Sequence, residues 1–256
     1  MKRTPLAGLV LAMGLLSSPA AAYEEIVVTD GGELTGTVKF VGAPPRLEPL
    51  RVAKNRDVCG ETQKAQALVV DSAGGVAGSV VMIEGVSRGN KADGELIVDN
   101  HNCLFVPRVS AAMTGVRAWV KNSDPILHNT HGRLAVASGP GPTLFNLGLP
   151  ILGQTIEITR RLIQPGPVRL LCDTHPHMLG WIYMHDSPYI TVTNEKGVFR
   201  IGAIPAGRYR VTMWHEPFRP RSIDRAGFPV YDSPLIVTRE VVIGPRATAN
   251  LDFELR

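Results

Sequence analysis

Apolar and polar residues alternate with a period of two over short stretches along most of this chain. Glu33 to Phe40, Val116 to Val120, Thr155 to Thr159, Gly197 to Ile201 and Arg208 to Trp214 all alternate in this way. Ser79 to Ile83 is a short apolar run, and the stretches Leu235 to Ile243 and Ala249 to Leu255 close the chain. A period of two puts successive side chains on opposite faces of a strand. Glycine, proline, asparagine and aspartate separate the stretches, and no 3.6-residue periodicity of helical length occurs. The pattern predicts an all-β chain of sandwich type. No internal repeat or low-complexity tract interrupts it. Residues 43–66 are the least patterned and read as a long loop or arm.

The first residues are Met1-Lys2-Arg3, then an apolar run from Leu6 to Leu16, then small residues ending at Ala20-Ala21-Ala22. A basic start, a short apolar middle and a small-residue site are the layout of a secretory signal. We therefore expect residues 1–22 to be a signal peptide and Tyr23 to start the mature chain. The apolar run is short for a membrane span, so no stable membrane insertion is expected after cleavage. Setting aside Lys2 and Arg3, the 27 basic residues fall to 25 against 23 acidic ones. Such a balance argues against a nucleic-acid partner.

The chemistry concentrates in two places. One is Cys172-Asp173-Thr174-His175-Pro176-His177-Met178, and the other is His128 in Asn122-Ser123-Asp124-Pro125-Ile126-Leu127-His128-Asn129. One thiol, imidazoles and a thioether together suit copper: the soft sulfur donors favour Cu(I), and imidazole serves both oxidation states. His177 is an alternative to His175 as the downstream imidazole. Met178 is either a weak axial ligand or core packing beside a three-coordinate ion. A strand from Val168 to Leu171 should deliver Cys172 at its end, with Gly180 to Met184 as the next strand. His131 and His177 are expected to face solvent; His101, His185 and His215 carry no motif. Of the three cysteines, Cys59 and Cys103 remain as a candidate disulfide once Cys172 is assigned to metal. The alternative is two buried thiols.

On these residues the stretch from about 97 to 186 resembles a cupredoxin, specifically the plastocyanin and amicyanin group. Amicyanin-like proteins carry Cys-x2-His-x2-Met with proline after the histidine, as at Cys172 to Met178, and His-Asn-x-His, as at His128-Asn129-Thr130-His131. The resemblance implies a Greek-key β-sandwich holding one type 1 (blue) copper per chain on His128, Cys172, His175 and axial Met178. Asn129 would brace the site through hydrogen bonds. It also implies that the ring edge of His175 reaches the surface as an electron port. Pro176, Leu179 and the 145–150 loop would surround that port as an apolar docking patch.

The C-terminal third resembles another family. Thr193-Asn194-Glu195-Lys196-Gly197-Val198-Phe199-Arg200-Ile201, followed by Ile204-Pro205-Ala206-Gly207-Arg208-Tyr209, is similar to the transthyretin-like (Ig-like) sandwich of carboxypeptidase regulatory-like domains. Such a sandwich ordinarily begins with strands like Gly36 to Phe40 and Ser79 to Ile83. These precede the metal-binding stretch here. The expected organisation is a discontinuous sandwich of residues 23–92 and 187–256, with the cupredoxin domain inserted at 93–186. Three modules in a row are the alternative.

Proteins of this combined architecture resemble methylamine-utilisation proteins. The implied function is a periplasmic, non-enzymatic electron carrier, expected to be a monomer and to dock a dehydrogenase or cytochrome near His175. The competing reading is copper storage, delivery or sensing. The residues exclude other sites: one thiolate cannot bridge a binuclear centre, Met after His is a poor zinc signature, and there is no haem-attachment, phosphate-loop or serine-elbow motif.

Overall fold

The computed structural model describes residues 23–136, 141–223 and 229–256. The signal peptide expected over residues 1–22 lies outside them. The described chain is all-β, as the period-two stretches predict, with four larger sheets. Among the described residues, no helix is long and apolar enough to cross a membrane.

Two of these sheets enclose one core. The first is ordered Leu104–Val106, Leu96–His101, Ala118–Asn122, Thr155–Glu157. The second has five strands, ordered Val109–Met113, Leu179–His185, Gly166–Leu171, His128–Leu134, Thr143–Leu149. Leu96, Val98 and Val120 from one sheet meet Phe145, Leu149, Val168, Leu170 and Ile182 from the other. Each such side chain contributes about 1.5–3 kcal/mol when taken fully from water. Alternation turns the neighbours of Leu96, Val98 and Val120 to the outer face, which is why those strands have a period of two.

The other two sheets enclose a second core. Val80–Glu84 lies between Ile190–Val192 and Gly207–His215, and the latter pairs with Leu235–Ile243. Gly32–Phe40 lies between Val198–Ile204 and the closing strands Thr248–Asn250 and Phe253–Leu255. Strands from before residue 92 and after residue 187 thus share both sheets. At Gly36 a Cβ would sit 2.0 Å from the Leu251 carbonyl oxygen, so only glycine lets these segments approach. Asn194 to Gly197 forms the turn into Val198–Ile204: Gly197 has φ 71°, and the Asn194 side chain accepts from the Lys196 and Val198 amides.

Val80 to Ile83 is an unbroken apolar run because both its faces are buried. Val81 and Ile83 enter the second core, whereas Val80 and Met82 face Val109, Trp181 and Trp214 in a third cluster. That cluster joins the two sandwiches. Trp181 packs edge-on against Trp214 at 5.3 Å between ring centroids. Beside it Arg108 forms a two-pronged pair with Glu216 at 2.6 and 2.8 Å, and the Trp181 indole N–H donates to the same carboxyl group.

The 43–66 segment contains a short ladder, Leu50–Arg51 against Thr62–Gln63, around a helical turn at Arg56–Cys59. Val52 and Cys59 are buried in the first core, the one that contains Cys172. The arm therefore packs largely against the 93–186 stretch, while Leu47 near its start packs on the second core. Cys59 and Cys103 form a disulfide, with their Cα atoms 5.4 Å apart.

Candidate metal centre

Three strands of the five-stranded sheet bring the ligand residues together. His128 opens His128–Leu134, Cys172 follows directly on Gly166–Leu171, and the loop from Cys172 leads into Leu179–His185. Antiparallel pairing of His131 with Leu171 sets the start of one strand beside the end of the other. The loop is two successive turns: the His175 amide donates to the Cys172 carbonyl, and the Met178 amide to the His175 carbonyl. Short turns between paired strands hold the side chains in fixed directions.

The Cys172 Sγ lies 3.6 Å from His175 Nδ1 and 4.0 Å from His128 Nδ1. All three ligand atoms fall within 4.8 Å of one another. Met178 is fully buried in the same cluster as Cys172. Donors sharing one ion with bonds of about 2.0–2.3 Å lie roughly 3.5 Å apart, so this spacing fits a single small cation. The donor set, one thiol and two imidazoles with a thioether nearby, matches a soft redox metal better than a hard one.

Both imidazoles are oriented by their far edges. His128 Nε2 donates to Asp124 Oδ2 at 2.9 Å. His175 Nε2 donates to Asn55 Oδ1 at 2.9 Å. A proton fixed on Nε2 leaves the Nδ1 lone pair facing the sulfur, and such outer contacts commonly set the tautomer of a metal-binding histidine. Asp124 is itself held by the amides of Asn102 and Cys103, each at 2.8 Å. Those residues have φ of 52° and 57°, a backbone shape that turns consecutive N–H groups toward one acceptor. The residues Cys103, Asp124 and His128 also lie close together. Cys103 is committed to the disulfide, so this group orients His128 and is not a separate metal cluster.

The thiol has its own bracket. Asn129 offers its amide N–H at 3.5 Å and its Oδ1 at 3.4 Å from Sγ. The same Oδ1 accepts from the Thr174 amide, and Nδ2 donates to Asn146 and Asp173. Burial pushes the Cys172 thiol up. Burial likewise pushes His128 down, and His175 down to about 4. The site thus presents neutral imidazoles near neutral pH.

Two expectations change. His175 is fully buried and does not reach the surface as a port. The reason is the arm: Asn55 sits over the Nε2 edge that a bare sandwich would leave open. His177 is 2 % exposed, with its ring 5.9 Å from that of His175, and does not face solvent. His131 is bound by Asp173 and Thr143. His101 is exposed near Asp124, and His185 and His215 are buried in the fold. Pro176 is exposed beside the covered ring, and Leu179 is half-buried. Asp124 and Asn55 went unassigned in the sequence. Asp124 stands four residues before His128, but on a loop that spacing carries no meaning. Asn55 is 120 residues from its partner and lies in the unpatterned segment.

No protein-family model matches the chain, and no curated protein matches it either. Among solved structures, a purple cupredoxin from Nitrosopumilus maritimus is similar at 22% identity and TM-score 0.30, over 36% of this chain and 100% of the other. Amicyanin from Paracoccus versutus is similar at 13% identity and TM-score 0.30, over 41% and 97%. A copper-containing nitrite reductase from Thermus scotoductus is similar at 20% identity and TM-score 0.29, over 38% and 23%.

Proposed function

We propose that this chain is a type 1 copper protein that carries single electrons, with one copper held by His128, Cys172, His175 and Met178. The observation that supports this most is the convergence of two imidazole Nδ1 atoms on one buried thiol, each ring tied off at its far nitrogen. Copper bound there would supply a one-electron couple. The protein residues would do the rest. Cys172 gives up its proton on binding and presents a thiolate. Asn129 donates to that sulfur and limits its movement. Asp124 and Asn55 fix the two rings. A donor set that stays put through the change in charge needs little rearrangement, which suits a carrier. Four side-chain ligands would leave no position for a substrate, so we read the chain as a carrier and not as an enzyme.

We further propose an exported, periplasmic protein that meets a redox protein such as a dehydrogenase or cytochrome. Its organisation would be a transthyretin-like sandwich of residues 23–92 and 187–256 with the copper domain inserted at 93–186. Sharing of sheets by the flanking strands supports that division.

The test is a titration of the mature, metal-free protein with Cu(II), followed by visible and EPR spectra. An intense blue thiolate-to-copper band that saturates at about one equivalent and disappears in Cys172→Ser is the expected result. A pale spectrum, or a band that survives Cys172→Ser, would sink the reading.

A further inference from the structure

The arm over His175 has more built into it than a loop needs. Its ladder closes with the Val52 amide donating to the Glu61 carbonyl at 3.0 Å. Its helical turn begins at Asn55, whose φ 52° and ψ 46° are left-handed. This conformation is rare for most residues and tolerated by asparagine, aspartate and glycine. The Asn55 carbonyl accepts from the Val58 and Cys59 amides, so its backbone is fixed. Gln63 donates to the carbonyls of Cys59 and Asn102, and the disulfide to Cys103 ties the same turn to the neighbourhood of Asp124. The outcome is one exposed asparagine whose side-chain oxygen meets a fully buried imidazole at 2.9 Å.

We propose that Asn55, presented by this disulfide-anchored arm, is the positioning residue for His175 and the cover of its outer ring edge. Asn55 fixes the proton on Nε2 and keeps Nδ1 directed at Cys172. It also stands between the ring and any docking partner. An electron passing by way of His175 therefore crosses the arm and not a bare imidazole edge. The consequence for bound copper rests on the copper reading above; the positioning of the ring does not.

Asn55→Gly separates the two roles of this residue, because glycine keeps the left-handed backbone and removes the oxygen. Asn55→Asp keeps both the backbone and an acceptor. In the metal-free protein at pH 8, long-range 1H–15N correlation spectra should show His175 as the Nε2–H tautomer in the wild type and in Asn55→Asp. In Asn55→Gly they should show a mixture, with the melting temperature little changed. In the copper-loaded protein, loss of metal to a chelator should be about tenfold faster in Asn55→Gly than in the wild type, and near the wild-type rate in Asn55→Asp. A single Nε2–H tautomer and a wild-type chelation rate in Asn55→Gly would overturn the proposal. Failure of the wild type to bind copper would overturn the copper reading alone, since the tautomer comparison needs no metal.

Discussion

At the scale of single residues, the geometry of the centre depends on the side chains that hydrogen-bond to His128, Cys172 and His175. Asp124 shows why. It is buried and accepts from His128 and from two backbone amides. Asp124→Ala would free the His128 ring and leave both amides without partners. Loss of such an outer contact typically costs 10–100-fold in metal affinity. The buried Cys103 amide, once orphaned, costs about 1–3 kcal/mol of stability, whereas exposed Asn102 can turn its amide to water. We predict both effects, measured by competitive copper titration and by denaturant melts of the metal-free variant. Unchanged affinity would mean that packing alone holds His128. The proposed ligands Cys172, His175 and Met178 were legible because their residue types and loop spacing are local. Asp124 was not, because a carboxylate that orients a histidine looks like any loop aspartate until the backbone curls around it.

At the scale of elements, the arm and the strands differ in how much the chain reveals. Strands such as Gly32–Phe40 and Ala118–Asn122 announce themselves by alternation, since each buries one face. The arm has no periodic face. It is fixed by one disulfide, two buried side chains and a short ladder. The bridge spans 44 residues, for which the chain-entropy account gives about 4 kcal/mol. The double variant Cys59→Ala/Cys103→Ala should therefore lose about that much unfolding free energy in urea. It should also expose His175 to solvent, seen as faster exchange of its ring N–H. A double variant with protected His175 would show that the buried Val52 holds the arm without the bridge. Counting thiols made Cys59 and Cys103 a candidate pair once Cys172 was set aside for metal, and the bridge is present; that it would carry a cover onto His175 was not legible.

At the scale of the whole molecule, two features decide stability. The junction between the sandwiches buries Glu216 against Arg108, whose side chain is 13 % exposed. Arg108→Ala would strand that carboxyl group, and breaking a buried pair in this way costs about 3–5 kcal/mol. A melt that splits into two transitions, or a single one at markedly lower denaturant, is the expected outcome; a wild-type melt would count against the junction's importance. The second feature is the set of buried histidines. Burial holds His128, His175, His177, His185 and His215 below their ordinary value. The unfolded chain then binds more protons than the folded one between about pH 6.5 and the lower folded values. Stability should rise with pH through that window. The metal-free protein should lose stability as pH falls from 7 toward 4, the folded value for His175. Urea melts at a series of pH values test this, and flat stability from pH 7 to 4.5 would refute it.

What the sequence determined by itself was whatever repeats locally or is rare. A period of two specifies strands because it is a property of neighbouring residues. Cys172, His175 and Met178 stand out because three soft or borderline donors within one loop are improbable otherwise. The tertiary structure alone decided which sheets pair, since Val80–Glu84 reaches the strands beyond residue 187 only once the intervening stretch has closed on itself. It alone placed the arm on the core that contains Cys172, and Asn55 on His175. Those outcomes depend on contacts between residues far apart in the chain, selected by burial and hydrogen-bond satisfaction, which no local pattern encodes.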